Sequence, residues 1–110
     1  MKTFLHTENI NILKQFKDKE WECILTEPKF SYRHPHIQTE TQFIELFNQS
    51  KLLGYLPYIQ VNGYIEETQL DDLKVWLKEC IQLEPKGFYF NDFAVYNHLK
   101  SVNYSGEIIY

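Results

Sequence analysis

The positions of the apolar residues predict four amphipathic helices. In each of four segments, apolar side chains recur at intervals of three or four residues, as they do along one face of a helix. The helices are expected to begin near Thr7, Thr39, Thr68 and Asn91. The third has the most regular apolar stripe, made of Leu70, Leu73, Trp76, Leu77, Cys80 and Ile81. We therefore expect Leu73, Trp76 and Leu77, with Phe47 of the second helix, to be largely buried.

The second predicted helix has the clearest start. Thr39 to Gln42 has the spacing of a capping box, in which the side chain of each residue bonds to the backbone of the other. Thr68 to Asp71 has a weaker version of the same spacing. The second helix is expected to run from its box to about Ser50, and the first helix from Thr7 to about Asp18.

Alternating apolar and polar residues predict short strands. One covers Trp21 to Thr26, another Phe88 to Phe90, and a third the terminal EIIY stretch. Two more flank Asn62-Gly63, because Asn-Gly is the dipeptide that most favours a two-residue β-hairpin turn. In this hairpin Val61 is expected to oppose Tyr64, and Ile59 to oppose Glu66.

These elements predict one α+β domain that spans residues 1–110. Its sheet is expected to be short and mostly antiparallel, with the Asn-Gly hairpin at its centre and three to four helices packed against it. A chain of 110 residues with 44% hydrophobic and 16% aromatic residues is large enough to bury a core. This composition also excludes the disordered class.

The two cysteines and the absence of targeting segments predict the cellular compartment in which the protein is located. Cys23 and Cys80 lie far apart in apolar patterns, so we expect two buried, reduced thiols, with a disulfide as the less favoured alternative. No apolar leader follows the N-terminal lysine, and no apolar run is long enough to span a membrane. Together these features predict a cytoplasmic protein.

The stretch SYRHPHIQ is the candidate for catalysis or metal binding, because it contains Arg33, His34 and His36. A zinc site needs three or four ligands at defined spacing, and the common zinc motifs are absent from the sequence. Phosphate-binding glycine loops, dinucleotide-binding motifs and the serine-hydrolase motif are absent as well. We therefore predict no catalytic residue, no metal and no cofactor. The stretch is interpreted as a stiff polar loop, with Arg33, His34 and His36 at the rim of a binding surface.

Acidic residues are concentrated in the middle third of the chain. The net charge is −4, which argues against general electrostatic binding of nucleic acid or anionic membranes. Residues 40–72 carry six acidic residues and one basic residue. Four of the acids, Glu66, Glu67, Asp71 and Asp72, lie near a predicted helix start, where the helix dipole favours negative charge.

Three tyrosines are predicted to lie on or beside the hairpin, close to these four acids. They are Tyr55, Tyr58 and Tyr64. Tyrosine is enriched at protein interfaces, although packing in strands also favours it. The sequence predicts that the four acids and three tyrosines bind a basic protein partner, either a toxin or a nucleic-acid-processing enzyme.

In size and charge the chain is similar to immunity proteins of bacterial toxins, to antitoxins and to phage-encoded inhibitors of host defence. The leading hypothesis is an immunity- or antitoxin-type inhibitor of a nuclease-like partner, whose basic cleft would attract carboxylates in place of phosphates. One alternative is a phage-encoded, anti-CRISPR-like inhibitor. The other is a small enzyme or ligand-binding domain, which requires Arg33, His34 and His36 to converge with a carboxylate in a pocket.

Overall fold

The computed structural model of the protein describes residues 4–6, 14, 22–31 and 39–110. Five strands form one sheet, and they are β1 (Phe4–His6), β2 (Glu22–Thr26), β3 (Leu56–Val61), β4 (Gly87–Phe90) and β5 (Glu107–Ile109). The strands lie in the sheet in chain order, and every neighbouring pair is parallel. The described α-helices, which connect β2 to β5 in turn, are α1 (Glu40–Leu52), α2 (Leu70–Gln82) and α3 (Phe93–Ser101).

The fold is therefore α/β, and the prediction of an α+β domain with a mostly antiparallel sheet is wrong. Parallel sheets are usually covered on both faces, so their strands form continuous apolar runs. Here the three described helices share one core cluster with a single face of the sheet, which includes Ile59 and Val61 of β3. The alternate residues Tyr58 and Gln60 lie on the opposite face. The apolar–polar alternation thus reflects this arrangement and does not indicate strand direction.

The predicted Asn-Gly hairpin is also wrong. Both edges of β3 are already occupied by the parallel strands β2 and β4, and neither Asn62 nor Gly63 has the positive φ that the predicted turn requires. Gly63 has a different role, because a Cβ at this position would overlap the carbonyl oxygen of Phe30. The chain continues from Gly63 into a 3₁₀ turn at Glu67–Gln69, with no second hairpin strand.

One hydrophobic core joins the three described helices to the sheet. Leu73, Trp76, Leu77 and Phe47 each expose 1% or less of their surface, which confirms their predicted burial. The ring of Trp76 lies 6.1 Å from that of Phe43, so α1 and α2 meet through aromatic side chains. This contact lies at the middle of α2 and packs that part of the helix against α1.

The helix boundaries follow the capping rules in part. The Thr39 capping box is confirmed, since Thr39 Oγ1 accepts from the Gln42 N–H at 3.2 Å and Gln42 Oε1 accepts from the Thr39 N–H at 2.9 Å. The predicted box at Thr68 does not form, because α2 begins at Leu70 without a side-chain cap. Helix α3 is capped by Asp92 and not by Asn91. Apart from Lys14, the first predicted helix lies outside the described residues. No helix within the described residues has the length and apolar character needed to cross a membrane.

The cysteines are both free and fully buried, which confirms the prediction of two buried thiols. Burial raises the pKa of Cys23 to about 12, and burial also raises the pKa of Cys80 well above its ordinary value. A thiol is a poor nucleophile and a poor metal ligand in its protonated form. Neither cysteine is therefore suited to covalent chemistry at neutral pH.

Candidate partner-binding site

The carboxyl ends of the strands and the starts of the helices lie at one edge of the sheet. Because β2, β3 and β4 are parallel and each leads into a described helix, the helix N-termini gather along this edge. Binding groups in open parallel sheets usually collect outside the carboxyl ends of the strands. We term this edge, formed by residues 27–31, 39–42, 62–72 and 91–93, the carboxyl edge.

A buried glutamate fixes the first loop of the carboxyl edge. Glu27 is fully buried, and its carboxylate accepts hydrogen bonds from four donors. The donors are the N–H of Lys29 at 2.6 Å, the N–H of Phe30 at 2.9 Å, the hydroxyl of Ser31 at 2.8 Å and the indole of Trp76 at 3.0 Å. Burial raises the pKa of Glu27, and these hydrogen bonds offset part of that increase. Because the carboxylate is enclosed, Glu27 positions the loop and is not available to a ligand.

Four acidic side chains form an exposed surface at the start of α2. Glu66, Glu67, Asp71 and Asp72 are all exposed, as the sequence predicts. Among the described residues, none of the four forms an ion pair. We term the segment 66–72 the acidic turn. It presents four exposed carboxylates, none of which forms an ion pair with another described residue.

The structure separates the three tyrosines that the sequence places together. Tyr64 is 71% exposed and lies two residues before the acidic turn. Tyr55 and Tyr58 are 3% and 2% exposed, so neither ring is accessible on the folded surface. Their predicted proximity to the acids rests on the hairpin, which does not form. Only Tyr64 therefore remains as an exposed tyrosine next to the acidic turn.

Tyr58 belongs to a polar network near the amino ends of the strands. Its hydroxyl lies 2.9 Å from Glu22 Oε2 and 2.6 Å from Glu107 Oε2. Lys86 Nζ lies 2.6 Å from the same Glu22 oxygen and 3.9 Å from Glu107. Burial and the two carboxylates raise the pKa of Tyr58. A neutral tyrosine that bridges two carboxylates beside a lysine links β2, β3 and β5, and the network therefore supports the sheet.

The sequence interpretation misses an aromatic cluster at the carboxyl edge. Phe93, the first residue of α3, stacks on Tyr110 with 5.4 Å between ring centres and 24° between ring planes. These two side chains are 55% and 79% exposed. One feature of the sequence could have indicated that Phe93 is exposed. Phe93 directly follows the capping residue Asp92, and a residue at a helix start can project away from the core.

Arg33, His34 and His36 lie outside the described residues. No group of three or more potential metal ligands occurs in the described ranges, and the absence of a metal or cofactor stays a prediction. The described cavities of about 470 and 390 Å³ share Ile81 and Val102, near the C-terminal ends of α2 and α3. Both cavities therefore lie at the opposite end of α2 from the acidic turn.

Comparison with known proteins does not assign this site. The chain matches no protein-family model, no curated protein and no solved structure. The function must therefore be argued from the chemistry of the carboxyl edge.

Proposed function

We propose that the protein binds a basic protein through the acidic turn and Tyr64, and that it inhibits this partner. The observation that supports the proposal is the exposure of four carboxylates on one short segment, with no ion pair among the described residues. Tyr64, 71% exposed, adds contact area beside them. Tyrosine supplies much of the binding energy in many interfaces.

The helix dipole accounts for only part of this acidic surface. Asp71 and Asp72 lie in the first turn of α2, where negative charge stabilises a helix by about 0.3–1 kcal/mol. Glu66 and Glu67 precede α2, and the backbone N–H of Glu66 is bonded to Gln69 at 2.9 Å. The Glu66 side chain forms a capping box with Gln69, and both glutamates remain exposed to cations of a partner. Such complementary charge raises association rates and excludes partners of the wrong sign.

A nuclease-like enzyme is the partner class that best fits this surface. Such enzymes bind phosphates in basic clefts, and a row of carboxylates presents the same sign of charge. The proposed role is that of an immunity- or antitoxin-type protein that blocks the cleft of a toxin. A phage-encoded inhibitor of host defence would use the same surface, and the two roles differ only in the identity of the partner.

The first experiment identifies the partner by affinity capture from the native host and mass spectrometry. The proposed role requires a basic, nuclease-like protein whose activity falls when this chain is added. Capture of an acidic protein, or of a basic enzyme that remains fully active in the complex, would contradict it.

The charge reversals Glu66→Lys and Glu67→Lys, made together, should slow association with this partner by about tenfold or more at low salt. The loss should shrink at high salt, because exposed charges are screened beyond about 8 Å at physiological ionic strength. Association and dissociation rates would be measured by surface plasmon resonance at two ionic strengths.

The matched control reverses two exposed glutamates outside the acidic turn, Glu45→Lys and Glu79→Lys, for the same change in net charge. Truncation by Tyr64→Ala should instead raise the dissociation rate, by about tenfold or more if the ring is central. Equal slowing by both pairs of reversals would show that only net charge matters. Unchanged rates, with binding lost on substitution of Arg33, His34 or His36, would move the site to that loop.

A further inference from the structure

The exposed ring pair Phe93–Tyr110 packs on the buried ring of Phe90. Phe90, which is 4% exposed, meets each of the two rings edge-on at 5.4 Å. Tyr96 contacts Phe90 and Phe93 at 5.6 and 5.9 Å. Because these contacts already fix the rings, a ligand that stacks on them loses little side-chain entropy on binding.

A hydrogen bond attaches this ring pair to the acidic turn. Asp92 caps α3 by accepting from the Ala94 N–H at 2.8 Å. Its second carboxylate oxygen accepts from the N–H of Ile65 at 2.7 Å. Ile65 directly precedes the acidic turn, and Asp92 directly precedes Phe93. Asp92 therefore joins the segment that begins with Phe93 to the segment that leads into the acidic turn.

The aromatic cluster already contacts a cation of this chain. Lys100 Nζ lies 6.0 Å from the centre of the Tyr96 ring, within the range of a cation–π contact. The ring faces of Phe93 and Tyr110 carry the same negative quadrupole, and both residues are more than half exposed. Flat rings beside carboxylates are suited to arginine, because its guanidinium is planar, weakly hydrated and able to stack while it pairs with carboxylates.

We propose that the Phe93–Tyr110 ring pair selects arginine side chains of the basic partner, which stack on the rings while the acidic turn supplies the opposing charge. This inference rests on the proposed function and specifies the residue type that the interface recognises. Lysine has a compact, strongly hydrated charge and stacks less well. Charge attraction alone would treat the two cations alike, so a preference for arginine is the distinguishing property.

The test uses fluorescent oligo-arginine and oligo-lysine peptides of equal length and charge, with binding to the full chain measured by anisotropy. The wild-type protein should bind the arginine peptide about two- to fivefold more tightly than the lysine peptide, since a cation–π contact at an exposed site contributes about 0.5–1 kcal/mol. Phe93→Leu should bring the two affinities close to each other and leave lysine-peptide binding nearly unchanged. Leu52→Ala, which alters an exposed apolar side chain on α1, should keep the preference.

A second variant guards against a folding defect at the start of α3. Tyr110→Leu changes a side chain that is 79% exposed and should reduce the preference in the same way. Equal wild-type affinities for the two peptides, or a preference that survives both leucine variants, would overturn the inference. In either case the proposed function stands if Glu66→Lys/Glu67→Lys weakens both peptides. Two outcomes would overturn both the inference and the proposed function. In the first, neither peptide binds the wild-type protein. In the second, the wild-type protein shows no preference for arginine and the charge reversals change neither affinity.

Discussion

Replacing Glu27 with leucine is expected to lower the free energy of unfolding by about 3–5 kcal/mol, because several hydrogen-bond donors lose their common buried acceptor. The carboxylate is the acceptor for two backbone N–H groups, the Ser31 hydroxyl and the Trp76 indole. Each buried donor left without an acceptor costs about 1–3 kcal/mol. Ser31 can still donate to the Gln60 carbonyl at 3.3 Å, so three donors lose their acceptor.

Chemical denaturation at neutral pH measures this loss, with Glu45→Leu as the control for an exposed glutamate. The control should change the free energy of unfolding by no more than about 0.5 kcal/mol, as surface substitutions usually do. A loss below about 1 kcal/mol for Glu27→Leu would show that the loop finds other acceptors. Glu27 would then not be the residue that fixes the carboxyl edge.

A second readout of Glu27 is the pH dependence of stability. Burial raises the pKa of Glu27 above its ordinary value of 4.5, so the folded protein retains this proton to a higher pH than the unfolded chain does. The resulting stabilisation is fully present below about pH 4.5 and is lost as the pH rises through the folded-state pKa. The stability of the wild type relative to Glu27→Gln should therefore fall as the pH rises through this window. If this relative stability rose with pH instead, the four hydrogen-bond donors would lower the pKa of Glu27 more than burial raises it.

The sequence locates most elements because periodicity is a local property. The apolar stripe of α2 and the alternation in β2 each depend on residues within one element, and both predictions of element type agree with the structure. Strand direction depends on which distant segments pair, and no local pattern records it. The strong local preference of Asn62-Gly63 for a hairpin is overridden because β2 and β4 occupy both edges of β3, so no hairpin strand can pair with it.

The same distinction applies to the candidate site. The exposure of the four acids follows from their position on the polar side of a helix start, which the sequence shows. The burial of Tyr58 depends on its partners Glu22 and Glu107, which are 36 and 49 residues away in the chain. The proximity of Asp92 to the acidic turn depends on a bond to Ile65 across 27 residues. These non-local contacts decide which aromatic side chains reach the surface, and they place Phe93 and not Tyr58 beside the acids.

The core gives the other large effect, and Leu77→Ala is expected to lower the free energy of unfolding by about 2–5 kcal/mol. Leu77 has no exposed surface, and it belongs to the single cluster that joins α2 to the sheet. The truncation removes buried apolar surface and leaves a cavity, because close-packed neighbours relax only in part. Thermal or chemical denaturation measures the change.

Val75→Ala is the matched control, since it truncates an apolar side chain of the same helix that is 61% exposed. Alanine has the higher helix propensity, and an exposed truncation leaves no cavity, so Val75→Ala should change the free energy of unfolding by no more than about 0.5 kcal/mol. The contrast tests which face of α2 packs on the sheet. Equal effects of the two substitutions would mean that this face is wrongly assigned. The acidic turn, whose orientation depends on α2, would then lose its structural basis as a binding surface.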